Sequence, residues 1–171
     1  MEKLIKQIEQ WAEDRNIIKG SKPIDQAMKL FSEFGELADN VGKGRDCRDD
    51  IGDVFVVLTI MCKQLNKPIR VTGAEYFIAR LHNGNTNPKS IVASLAVYLS
   101  DFVFSAEDGK SRNVGPILAS LINLSHYYSI SSFEECVQIA YNDIKDRKGL
   151  MHNGVFVKES DPAYASIESN C

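Results

Sequence analysis

Four acidic residues carry the most chemically suggestive spacing in the sequence. Glu33 and Glu36 stand three apart in one segment, and Asp50 and Asp53 three apart in the next. On a helix, residues at i and i+3 are surface neighbours about one turn apart, so each couple points its carboxylates to one side. If the two segments are antiparallel neighbours joined by the short Gly42-Lys43-Gly44-Arg45 turn, the four carboxylates can converge. Two unit charges about 5 Å apart repel by roughly 3 kcal/mol at an effective dielectric of 20, so a partly buried cluster of this kind calls for cations. Hard oxygen ligands select Mg²⁺ or Mn²⁺ over zinc.

The segments that must position these acids read as helices. Leu4, Ile8, Trp11, Ala12 and Ile18 recur at helical spacings in a first helix over 3–18, closed by Gly20 and Ser21. Pro23 opens a second over 23–41, with Ile24, Ala27, Met28, Phe31, Phe34 and Ala38 in register and Gly42 as its expected terminator. The third element, 46–65, holds the run Val54 to Cys62, apolar apart from Thr59. A buried strand competes for that β-branched run, but the length and the acidic start favour helix. Downstream, one short element is expected near Ala74 to Leu81, then helices from Pro88 to about Phe104, from Val114 to Tyr128, and from Ser131, where Glu134 completes a capping-box spacing. The segment 150–171 reads as an irregular tail with a short extended piece at Val155 to Val157. The expected fold is all-α, a single bundle-like domain over 1–171.

A plainer reading of the acids competes. Gln26, Lys29, Glu33, Glu36 and Asn40 form one polar stripe roughly opposite the Met28–Phe31–Phe34 face, and such stripes are usually solvated surface. The third helix weighs against that reading, because Asp50 and Asp53 lie in line with Val57 and Ile60, whose side cannot face water. Composition excludes other classes. The chain has 171 residues, 44% of them hydrophobic, which suits one domain. Its 20 basic against 23 acidic residues, a net charge of -3, offer no global attraction to nucleic acid or an anionic membrane. The absence of a spanning apolar run or signal-like N-terminus leads to the expectation of a cytoplasmic protein with no membrane partner. Cys47, Cys62, Cys136 and Cys171 form no CxxC pair, so reduced thiols are expected.

Glu33-x-x-Glu36, thirteen intervening residues, then Asp50-x-x-Asp53, with Trp11, Gln26 and Lys29 upstream, resembles the ExxE…ExxD signature of the MazG-like, all-α nucleoside triphosphate pyrophosphohydrolases, relatives of the dimeric dUTPases. The pieces QAMKLFSEFGELADNVGKG and DDIGDVFVVLTIM carry most of the likeness, and YNDIKDRKGLMHNGVFVKESD resembles the family's closing helix and basic tail. The resemblance covers about residues 1–65 and 133–161, leaving 67–130 as a helical insertion. Asp50 stands where the family usually has glutamate. The resemblance implies Mg²⁺-dependent hydrolysis of a nucleoside or deoxynucleoside triphosphate to the monophosphate and pyrophosphate. It implies Glu33, Glu36, Asp50 and Asp53 as metal ligands, with Glu36 doubling as base or water-orienting group.

Supporting residues each carry two readings. Lys145, Arg147 and Lys148 either complement a helix C-terminal dipole or, for Lys145 and Arg147, bind phosphate; Asn142-x-x-Lys145 resembles a family pattern. Lys29 either contacts phosphate or pairs with Glu33 at i+4. Trp11 either stacks on a base or belongs to the core. Asp46 and Asp49 read as solvated acids of a helix start. A homodimer or homotetramer is expected, because the nearly all-apolar third helix asks for more cover than two short helices give; the alternative is that the helices of 88–128 complete the bundle within one chain. Two rivals remain: a catalytically silent helical oligomer that binds nucleotide or acts as a regulator or scaffold, and a di-iron bundle. The second is disfavoured because no Glu-x-x-His lies near the acids.

Overall fold

The computed structural model describes residues 1–71, 87–107, 113–128 and 132–169. The fold is all-α, with one hairpin among the described residues. Its helices are α1 (Glu2–Asp14), α2 (Ile17–Gly20), α3 (Pro23–Lys43), α4 (Arg48–Gln64), α5 (Pro88–Glu107), α6 (Gly115–Tyr127), α7 (Phe133–Ile144) and α8 (Tyr164–Glu168). The antiparallel pair β1 (Gly149–His152) and β2 (Val155–Lys158) follows α7, with Leu150 opposite Val157. The expected element at Ala74 to Leu81 lies outside the described residues.

Several boundaries differ from the sequence expectation for local reasons. The first helix breaks in two because Asn16 takes a left-handed φ of 56°. The second continues through Gly42 and stops at Gly44, whose φ of 65° lets its N–H bond back to the carbonyls of Asn40 and Val41. The cap of α7 is Ser132, whose hydroxyl accepts from the Glu135 N–H at 3.2 Å, one residue beyond the expected Ser131–Glu134 pair; Ser131 itself lies outside the described residues. The tail contains a hairpin and a short helix where an irregular chain with one extended piece was expected.

The third element is a helix, and it is the axis of the fold. Every position from Val54 to Cys62 is buried. It packs chiefly against α7 and α3, with α1, α2 and α6 on its other sides, and Phe55 meets Phe133 edge-on at 5.2 Å. The cover that its apolarity demands is therefore supplied within the chain, and the argument from α4 to a second subunit falls away. Gly52 sets the closest approach to α7: a Cβ there would stand 2.3 Å from the Cys136 carbonyl oxygen and 2.7 Å from the Ala140 Cβ. The insertion helices join the same core. Leu95 and Leu99 of α5 and Leu118 and Leu121 of α6 are buried in one cluster with α4. The stretch Pro88–Ala106 is long and apolar enough, by length and composition, to cross a membrane; here it packs on α3 and α6.

Helix α3 buries a different face from the one its pattern suggested. Ala27, Leu30, Leu37 and Val41 are inside, together with the polar Gln26 and Glu33, while Met28 is 57% exposed and Phe31 and Phe34 are half-buried. The polar stripe thus runs along the flank of the buried face rather than opposite it. Cys47, Cys62 and Cys136 are free and buried, and loss of solvent pushes their thiols up, to about 12, 12 and 11.

Candidate functional site

The flank of α3 forms one wall of a cleft of about 340 Å³. Trp11, Ile17, Val56, Val57, Ile60, Ile144 and Phe156 supply apolar surface, and Asp25, Lys29, Glu33, Asp53, Arg147 and Lys158 supply charge. Trp11 is 8% exposed and meets Phe156 edge-on at 6.0 Å, so it serves the core and the cleft together. Its indole Nε1 is buried without a hydrogen-bond partner. Behind the cleft the Ser21 hydroxyl donates to the Ile17 carbonyl and accepts from the carboxamides of Gln26 and Gln64, both at 3.0 Å, joining α2, α3 and α4.

The four sequence-selected acids do not stand alike. Glu33 and Asp53 line the cleft. Glu33 is buried and ion-paired with Lys29, so the i,i+4 pair forms and Lys29 still lines the cleft. The Asp53 carboxyl is pushed up to about 7, by loss of solvent first and then by the charges of Glu33 and Asp49, against the pull of Arg147 and Lys29. Asp50 is half-buried and raised by loss of solvent, countered by donation from the Asn40 amide at 2.9 and 3.2 Å. The charges of Asp49, Glu36 and Glu33 also bear on it. Glu36 is exposed on α3, one turn beyond Glu33, and does not line the cleft.

The donor chemistry suits a hard divalent cation: carboxylates gathered where solvent is scarce, one of them raised far enough to hold a proton near neutrality. Among the described residues, however, no three His, Cys, Asp or Glu side chains stand together as a ready ligand set. Lys29 occupies Glu33 and Asn40 occupies Asp50. Glu33 and Asp53 are the two acids in place to begin such a set.

Of the residues expected to touch substrate, Trp11, Lys29 and Arg147 line the cleft. Asn142 and Lys145 do not. Asn142 is exposed and accepts from Gln138 at 3.2 Å, and Lys145 caps the end of α7 facing solvent. Arg147 lies beyond the end of α7, where its carbonyl accepts from Arg15 and its side chain folds back on Asp143.

Sequence reasoning missed Asp143, Arg15 and the hairpin. Asp143 holds the Arg147 guanidinium at 2.8 Å, and it helps raise Asp49, whose first cause is loss of solvent. Phe156 and Lys158 reach the cleft from β2. The signal for the hairpin was present: Asn153-Gly154 between Leu150-Met151 and Val155-Phe156-Val157 is the standard two-residue turn pattern.

Among known proteins, the chain is 52% identical over 66 residues to one from Haemophilus phage HP1 (strain HP1c1), described as "Uncharacterized 18.2 kDa protein in rep-hol intergenic region". The match spans 37% of this chain and 40% of the relative. No family model matches the chain. No solved structure matches it.

Proposed function

We propose that the chain is a Mg²⁺-dependent nucleoside triphosphate pyrophosphohydrolase, releasing monophosphate and pyrophosphate. The observation that carries this reading is the cleft itself: a largely apolar chamber of about 340 Å³ whose lining includes the carboxylates of Glu33 and Asp53 and the cations Lys29, Arg147 and Lys158. The ExxE…ExxD resemblance of the sequence points the same way. Glu33 and Asp53, with Asp50 and Glu36 next along the helices, would hold the divalent cation, which would supply positive charge against the polyphosphate. The chain's own residues do the rest. Trp11, Val57, Ile60 and Phe156 bury the base. Lys29, paired with Glu33 in this structure, and Arg147 would be the charged donors to the phosphate oxygens. Glu36, exposed on the water side, orients the attacking water and takes its proton.

Product analysis over a panel of NTPs and dNTPs tests the proposal. Equal amounts of monophosphate and pyrophosphate are expected. Activity should be lost in EDTA, restored by Mg²⁺ or Mn²⁺, and poorly supported by Ca²⁺, which accepts looser coordination. Orthophosphate as the main product overturns the mechanism. A second reading, a nucleotide-binding regulator or scaffold without turnover, draws on the engagement of Glu33 by Lys29 and of Asp50 by Asn40. It predicts saturable nucleotide binding with no product of either kind. Assembly as a homodimer or homotetramer belongs to the same family-based proposal, and light scattering checks it.

A further inference from the structure

One guanidinium ties together two residues that line the cleft, Trp11 and Arg147. Arg15 follows α1, and its Nε donates to the Arg147 carbonyl at 2.7 Å while one terminal nitrogen donates to the Lys145 carbonyl at 3.0 Å. The same group lies 4.9 Å over the Trp11 ring. We infer that Arg15 is a positioning residue for anion binding in the cleft, holding Arg147 at a fixed reach from Trp11.

A helix-capping role alone does not account for this geometry. The carbonyls at the end of α7 lack intrahelical donors, and a cation there is favoured by the helix dipole. Lys145 is exposed, however, so water could satisfy its carbonyl without any help from α1. What the contact adds is a fixed relation between two cleft residues on elements far apart in sequence. The turn is also closed from within, since the Arg147 N–H bonds the Ile144 carbonyl at 2.9 Å. Asp143 grips the Arg147 side chain from the outer side, accepting at 2.8 Å on its carboxylate and 3.1 Å on its carbonyl. Backbone and side chain of Arg147 are thereby each held, by Arg15 and Asp143 respectively, and Arg15 is the half of that grip that also meets Trp11. A planar fork suits the task, because lysine offers one point charge where three carbonyls and a ring must be met together.

The inference rests on the proposed function for its ligand class, a phosphoanhydride, and the test keeps the two separate. Binding of inorganic pyrophosphate with Mg²⁺ is followed through Trp11, the sole tryptophan, in the intact chain and in R15M, R147M and the double variant. R15M should weaken binding roughly tenfold, and the double variant should bind no worse than R147M alone, since residues acting as a unit are not additive. R15K should fall between wild type and R15M, and it serves as the test if R15M fails to fold by circular dichroism. Unchanged affinity in the foldable Arg15 variant, or losses that simply add to that of R147M, overturns the inference and leaves Arg15 a structural tie. If the intact chain ignores pyrophosphate, the proposed function is what fails. The positioning role is then decided by the Arg147 Nε–H resonance of the ligand-free protein. Broadening of that resonance in the Arg15 variant supports the role, and an unchanged signal overturns it.

Discussion

The acids of this molecule pair across its helices rather than along them. In the chain, Glu33 goes with Glu36 and Asp50 with Asp53. In the fold, Glu33 and Asp53 face the cleft together, while Asp50 lies against Asn40 and Glu36 meets solvent. Spacing of i and i+3 says which residues share a helix side. The way two antiparallel helices meet decides which member of each couple turns inward. The inner pair is thereby suited to hold charge, and the outer residues to meet water.

The sharpest break of that division comes from the inner pair. Asp53→Asn or Glu33→Gln should lower turnover by about 10³-fold, together with a loss of Mg²⁺ affinity, because charge stabilisation at the phosphate depends on both. Mg²⁺ titration of turnover checks this. Equal losses of Mg²⁺ affinity in Glu36→Gln would erase the distinction between inner and outer acids. Glu36→Gln should instead lower kcat by about 10²-fold or more while pyrophosphate binding and thermal stability stay near wild type, as removal of a general base does. A variant with wild-type kcat removes Glu36 from the mechanism.

Stability measurements sharpen the same contrast along α3. Leu37, fully buried one residue past Glu36, should cost about 2 kcal/mol or more when changed to alanine. Phe34 is half-buried, so Phe34→Ala should cost less than the 3 to 5 kcal/mol typical of a core phenylalanine. Denaturant midpoints decide whether that order holds. The smallest effect is a pH dependence. Burial raises Asp53 from 3.8 to about 7, so between those values the folded state holds a proton that the unfolded chain has lost. Its contribution to stability is therefore full below about pH 4 and is lost as pH rises toward 7. In EDTA, Asp53→Asn should be more stable than wild type at pH 8, by on the order of 1 kcal/mol, with the gap closing by pH 4. A constant gap across that range contradicts the burial of the carboxylate.

Much of this was legible in the residues. Pro23, the acidic couples and the length of the Val54 to Cys62 run sufficed for α3, α4 and the all-α class, because helix periodicity and helix starts are local properties. The inward face of α3 was not legible. Met28 and Phe31 look more apolar than Gln26 and Glu33, yet the latter are buried, Gln26 with its amide on the Ser21 hydroxyl and Glu33 paired with Lys29. The residues leave the cover over α4 open between the helices of 88–128 and a second subunit; in the fold α6 and α7 supply it together with α3. Arg15 gave no signal at all. Besides the Trp11 ring, its partners are three backbone carbonyls, which every residue carries and no pattern marks.

Gly52 extends the contact between α4 and α7 into the history of the chain. Any side chain there would force the two helices apart, and the next residue is Asp53. Substitutions elsewhere in the core can accumulate and compensate one another, but the two backbones touch at a point with nothing left to trim. In a drifting lineage the acid would thus keep its place for as long as the glycine did. Its loss would be felt first as a displaced carboxylate, before the bundle itself gave way.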